Sequence, residues 1–244
     1  MGKEKGYRNL REEIRAYLEF QRAMGVKALG VKSRRPSPPS PPPREQAGLP
    51  EPLMPRKSLE EIREELGECT RCKLSEGRTS IVFGEGNPKA RIVFVGEGPG
   101  ADEDAQGRPF VGRAGKLLNR IIKAMGFERE DVYICNVVKC RPPQNRNPEP
   151  DEMQTCEPFM FAQLRAIEPE VIICLGAVSA HSVLKLKKKV SLGSLRQQFF
   201  PLGKSKVMVT YHPAALLRNP NYKKPLWEDM KIALREMGLK PPVE

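Results

Sequence analysis

The chain has 244 residues, 42 Lys and Arg against 30 Asp and Glu, a formal net charge of +12 and six cysteines. That length holds one substantial core with chain to spare, and no run of about 18 apolar residues marks a membrane span. No apolar leader follows Met1, so a cytoplasmic protein is expected, in which close-set cysteines serve metal ligation and not disulfides.

Residues 1–32 place Leu10, Ile14, Tyr17 and Leu18 at helical spacing among charges, the pattern of a short basic amphipathic extension. Residues 33–57 follow as a linker, with nine prolines between 33 and 55, too stiff and too poor in apolar side chains to build a core. The folded domain is expected over 58–239, with 240–244 as a tail. Ser58 and Glu61 make a capping-box pattern ahead of LEEIREEL. Short β-branched runs then alternate with helical patterns. Strands are expected at 81–83, 92–95, 132–138, 171–175 and 207–211, and helices at 113–125, 151–167 with a break near Pro158, 177–184 and 225–237. The alternation predicts a single α/β domain of three layers, α/β/α, around a mostly parallel sheet. Sites in such folds gather at the carboxyl ends of the strands.

Four cysteines stand apart as C-x2-C-x67-C-x15-C: Cys69, Cys72, Cys140 and Cys156. A close pair with two remote thiols suits one metal centre that ties distant parts of a fold together, either a [4Fe–4S] cluster or a zinc ion. Cys135 and Cys174 lie inside apolar runs and are expected to be buried core thiols.

Three motifs sit where strands are expected to end. The first is VGEGPGADEDAQGRPFVGRAG, Val95 to Gly115. Its glycines resemble a dinucleotide loop, but Pro99 interrupts the turn, and Asp102, Glu103 and Asp104 would repel a pyrophosphate. A better reading is a planar ligand approached closely by backbone, with Glu97 at the strand end and Phe110 as a stacking face; core packing of Phe110 is the competing reading. The second motif, YICNVVKCRPP, carries Asn136 in an otherwise apolar strand. A buried amide must find partners, so Asn136 either ties loops together or reads a ligand edge with an N–H beside a C=O. The third, VTYHPAALLRNP, fixes His212 ahead of Pro213 and then presents Leu216 and Leu217 beside Arg218, expected as exposed loop leucines able to wedge into a base stack. His181, the other histidine, lies in a helical pattern and reads as structural. Between Glu170 and Glu228 there is no acid, while ten Lys and Arg occur; that one-sign stretch either solvates a surface or makes a field for a polyanion such as nucleic acid.

GEGPG…GRPFVG, the asparagine of CNVVKC, HPAALLRNP and the four-cysteine frame together resemble the family-4, iron–sulfur uracil-DNA glycosylases, over about residues 59–239. The resemblance implies a repair enzyme acting on uracil-containing DNA, single- or double-stranded, that cuts the N-glycosidic bond and leaves an abasic site. It implies a [4Fe–4S] cluster on Cys69, Cys72, Cys140 and Cys156, with zinc the alternative. Phe110 would stack on the extruded uracil, and Asn136 would read its N3–H and O4. Glu103 would crowd C5 against thymine's methyl. His212 would donate to O2, and Glu97 would offset charge on the sugar and position water. Gly98, in the base-recognition set, stands where the better-known branch of the superfamily has an aspartate. Leu216 or Leu217 would fill the vacated stack, with Arg218, Arg141 and Arg146 toward the DNA. A monomer is expected, and the extension is a candidate site for a protein partner. The alternatives are a silent nucleic-acid-binding member, or one of altered specificity that excises hypoxanthine or binds uracil without turnover.

Overall fold

A computed structural model of the chain describes residues 56–188 and 190–242; the extension expected at 1–32 and nearly all of the linker lie outside them. The elements run α1 (Leu59–Leu66), β1 (Glu85–Gly86), β2 (Ile92–Gly96), α2 (Ala101–Gln106), α3 (Arg113–Ala124), β3 (Tyr133–Asn136), α4 (Pro150–Ile167), β4 (Val171–Leu175), α5 (Ala177–Val183), α6 (Leu192–Leu195), β5 (Phe199–Leu202), β6 (Ser205–Thr210), α7 (Pro213–Arg218) and α8 (Lys223–Glu236). The strands form one sheet in the order β1-β3-β2-β4-β6-β5. The four central strands are parallel, and the edge strands β1 and β5 pair antiparallel.

Side chains along each strand alternate between two cores, as the two-residue period of a pleated strand requires. Val93, Val95, Cys135, Ile172, Cys174, Val207 and Val209 pack with Met160 and Leu164 of α4 and Ala180 and Val183 of α5. Ile92, Phe94, Ile134, Val171, Ile173 and Met208 pack on the other face with Leu118 and Ile122 of α3 and Met230 and Leu234 of α8. The expected α/β/α sandwich is therefore present, and Cys135 and Cys174 are buried as expected. No helix among the described residues is long and apolar enough to cross a membrane.

Local expectations differ in several places. Residues 81–83 form no strand: Val82 N–H donates to Lys139 O at 2.8 Å, but Gly84 turns the chain at φ 143°, and the pairing edge is the two residues of β1 instead. β5 was not expected, and its Pro201 removes a ladder donor from FFPL. At the sheet edge that loss is tolerated, and the two-residue loop at Gly203 and Lys204 closes the hairpin. Helix α4 runs unbroken through Pro158, held by its buried face of Cys156, Phe159, Met160, Gln163, Leu164 and Ile167. Residues 213–218 form a short helix and not a loop, opened by Pro213 at its first position.

Candidate active site

A cavity of about 550 Å³ opens where β2, β3, β4 and β6 end, lined among others by Glu97, Phe110, Asn136, Tyr211, His212 and Arg218. This is the carboxyl edge of the parallel strands, where the crossover connections diverge. All three strand-end motifs meet there, although 39 residues of chain separate Glu97 from Asn136 and 76 separate Asn136 from His212.

Asn136 closes β3 at 1 % exposure, and neither its Oδ1 nor its Nδ2 has a hydrogen-bond partner in the protein. An orphaned buried amide costs roughly 1–3 kcal/mol for each unmade bond, so its two open valences point to a ligand that carries both a donor and an acceptor. The structure thereby removes the reading of Asn136 as a side-chain tie between loops. Gly96 makes the site possible: a Cβ there would overlap Asn136 Oδ1 and stand 2.6 Å from the Phe110 ring.

Phe110 is 5 % exposed and adopts φ 51°, a left-handed backbone that a bulky residue holds only under constraint. The constraint is visible. Glu103 Oε1 accepts from Val111 and Gly112 N–H at 2.9 Å each, its Oε2 accepts from Gly100 N–H at 3.1 Å, and Arg129 donates to the carbonyls of Pro109 and Phe110 at 2.5 and 3.3 Å. Glu103 thus lines the cavity as a fixed carboxylate. The Phe110 ring faces both the cavity and the His212 ring, centroids 5.5 Å apart.

His212 caps α7: its Nδ1 accepts from Ala214 N–H at 3.1 Å. That bond places the neutral ring's proton on Nε2, which becomes the donor. Burial, aided by the Arg218 charge, lowers its pKa from 6.5 to about 4, so the imidazole is neutral at physiological pH. Gly176, at φ 95°, keeps the opposite wall clear; a Cβ there would press to 3.2 Å from His212 Cβ. Glu97 also lines the cavity, and burial raises its pKa above the ordinary carboxylate range. Gly98 lies beside it, where a Cβ would stand 2.8 Å from Val138 Cγ2.

The leucines separate. Leu216 is 2 % exposed and belongs to the core against α3, which corrects its expected exposure; Leu217 is 39 % exposed and follows directly, ahead of Arg218 at the cavity rim. Arg141 Nε donates to Asn145 Oδ1 at 2.8 Å, and Arg146 pairs with the buried Glu152 at 2.6 and 2.8 Å, so Arg146 braces the 141–149 loop and its charge is spoken for. Tyr211, missed in the sequence, also lines the cavity, stacked on Tyr222 at 4.3 Å and under Arg196 at 4.4 Å. Its signal was only its place before His212. His181 makes a structural contact, its Nε2 3.4 Å from the Val190 backbone.

Behind the loop, Cys69, Cys72, Cys140 and Cys156 line one small cavity, with all four thiols free of disulfides. Among the described residues no three Cys, His, Asp or Glu side chains close into a tight chelate. The donors around the sulfurs suit thiolates: Arg71 donates to Cys69 Sγ at 3.2 Å, Arg78 to Cys140 Sγ at 3.5 Å, and Lys139 N–H to Cys156 Sγ at 3.3 Å. Burial pushes the Cys140 thiol up and Cys156 up to about 11, so a cation placed among them would favour their thiolate forms.

A family model described as the uracil DNA glycosylase superfamily matches residues 83–231. The type-4 uracil-DNA glycosylase of Thermotoga maritima is 53% identical over 162 residues, 66% of this chain and 84% of that protein. The type-4 enzyme of Archaeoglobus fulgidus is 43% identical over 192 residues, 76% of this chain and 96% of that protein. A type-5 uracil-DNA glycosylase of Pyrobaculum aerophilum is 30% identical over 146 residues, 54% of this chain and 64% of that protein.

Proposed function

Because the chain belongs to the uracil-DNA glycosylase superfamily, and within it to the type-4 uracil-DNA glycosylases, we propose that it is a DNA-repair hydrolase that extrudes uracil from DNA and hydrolyses its N-glycosidic bond. The observation that carries the reading is the unpartnered amide of Asn136. Uracil presents N3–H beside O4, and an amide supplies the matching acceptor and donor; cytosine presents the reverse at those atoms, so a fixed amide orientation rejects it.

The base must leave the duplex to reach the buried Asn136 amide in this cavity. Phe110 stacks on one of its faces, Leu217 fills the space it leaves, and Arg218 holds the strand beside it. Glu103, locked by three backbone N–H groups, is the wall placed against thymine's methyl. As the bond breaks, negative charge grows on uracil O2 and positive charge on the sugar. His212 Nε2–H, already aimed and neutral, donates to O2; a fixed donor at developing charge is commonly worth about 100-fold or more in rate. The Glu97 carboxylate, raised in energy by burial, gains most from a nearby sugar cation, and it positions the attacking water. No aspartate follows it at Gly98, so water activation falls to Glu97.

The four cysteines would hold a [4Fe–4S] cluster, which supplies a rigid covalent tie among α1, the strand-end loop and α4. A reducing, cytoplasmic setting suits four free thiols. The test is incubation of the purified protein with a labelled oligonucleotide bearing one uracil, followed by alkali. Uracil-dependent strand breaks are expected, and their absence across salt and temperature would sink the reading. A colourless protein with stoichiometric zinc would sink the cluster assignment.

A further inference from the structure

Lys139 is fully buried, at 0 % exposure. Its Nζ donates to Asn136 O at 2.9 Å and to Gln163 Oε1 at 2.6 Å, both uncharged acceptors. Among the described residues no carboxylate is paired with it. Its own backbone N–H donates to Cys156 Sγ, and Cys140 is the next residue.

Gln163 is held ready for this contact. Its Nε2 donates to Phe83 O at 3.0 Å and to Tyr133 Oη at 3.2 Å, which turns Oε1 toward the ammonium. It lies seven residues after Cys156 on α4, about two turns along the same helix face. Lys139 therefore clasps α4 twice, by its backbone at Cys156 and by its side chain at Gln163, while capping the last carbonyl of β3. That carbonyl belongs to Asn136, whose side chain is the one left open to the cavity.

We propose that Lys139 is a positioning residue for Asn136: its backbone N–H seats it against Cys156 of the four-cysteine centre, and its Nζ, held by Gln163, fixes the end of the base-reading strand. This rests on the glycosylase reading above and extends it: the centre acts on base recognition through Lys139, besides holding the 141–149 loop.

The test compares the purified full chain with Lys139→Met, which keeps the unbranched apolar stem and removes the Nζ donor. Three quantities are read: the single-turnover rate of uracil excision, the affinity for an undamaged duplex, and the rate of iron release to a chelator. Loss of Asn136 alignment is expected to slow excision by about tenfold or more, with duplex affinity within about twofold and faster iron release. Excision at the wild-type rate, or an equal loss of excision and duplex binding, overturns the positioning role; unchanged iron release overturns the link between Lys139 and the four-cysteine centre. Should Lys139→Met lose cooperative melting, Gln163→Met decides, since it leaves Lys139 in place and removes the seat of Nζ together with the amide's bonds to Phe83 O and Tyr133 Oη: slower excision at unchanged duplex affinity is expected, and a wild-type rate overturns the proposal. Excision by neither wild type nor variant sinks the glycosylase reading itself, whereas excision by both alike sinks only this one.

Discussion

Asn136 and His212 are each prepared for a partner the protein does not provide. The Asn136 amide is buried with both functions open, a cost that the proposed contact with uracil would repay. Asn136→Ala is expected to reduce uracil excision by about 100-fold or more while leaving duplex affinity nearly unchanged, read by parallel cleavage and binding assays. A matching loss of both would make the residue structural. His212 gives a pH signature of definite sign. Its folded pKa of about 4 lies below the ordinary 6.5, so its contribution to stability is complete above about pH 6.5 and is lost as pH falls toward 4. Protonation at Nδ1 also breaks the bond from Ala214 N–H. As pH falls, Glu97, whose pKa burial raises, protonates first, and protonation of His212 is expected to lower excision per bound complex further as pH approaches 4. In the His212→Asn variant, the fall assigned to this group is expected to vanish from the rate–pH profile. Both residues were legible in the sequence, one as a polar residue in an apolar run and the other as a histidine locked before proline. Their open valences and fixed tautomer were not, because those depend on neighbours distant in the chain.

At the scale of elements, the site is held by the ends of strands and by the ties between them. Asp229 of α8, 0 % exposed, accepts from Arg196 at 2.8 and 3.0 Å and from Thr210 at 2.5 Å. This joins α8 to the last residue of β6, two before His212, and Arg196 in turn covers Tyr211. Burial raises the Asp229 pKa in spite of these partners, so the pair adds little net stability as it stands, yet removing one member strands the other. Asp229→Ala is expected to cost about 3–5 kcal/mol, measured as a lower denaturation midpoint, and to reduce excision through the misplaced His212 strand. The strands read from the sequence were those with continuous β-branched runs, β2, β3, β4 and β6. The edge strands escaped, β1 because two residues carry no pattern and β5 because Pro201 argues against a strand anywhere but an edge. Leu216 was read as exposed because its motif was taken for a loop; one turn of helix at α7 rotates it into the core and leaves Leu217 outward.

For the whole molecule, charge in sequence and charge in space differ. The stretch between Glu170 and Glu228 has no acid, but acids from elsewhere fold onto it. Lys185 pairs with Glu157, Lys206 with Glu236, Arg196 with Asp229 and Lys204 with Glu168. Arg218 stays at the cavity rim with Lys223 and Lys224 following α7. Arg218→Ala is accordingly expected to weaken DNA binding and reduce the log–log salt slope by about 1, whereas Lys206→Ala leaves that slope unchanged; equal effects would return the basic stretch to a uniform field. Deleting residues 1–55 is expected to leave excision of a short oligonucleotide within about tenfold, and complete loss would make the extension part of the active fold.

Sequence alone determined the α/β class, the order of the central strands' chemistry, the cysteine frame and the three motifs, because periodicity and motif spacing are local properties of the chain. It left zinc and iron–sulfur open. Tertiary structure alone decided which leucine is outward, which arginines are already paired, that Asn136 has no internal partner, and that Lys139 links it to the cysteines. Each of those depends on what a distant segment places beside a side chain, and burial and pairing are set only when the segments pack.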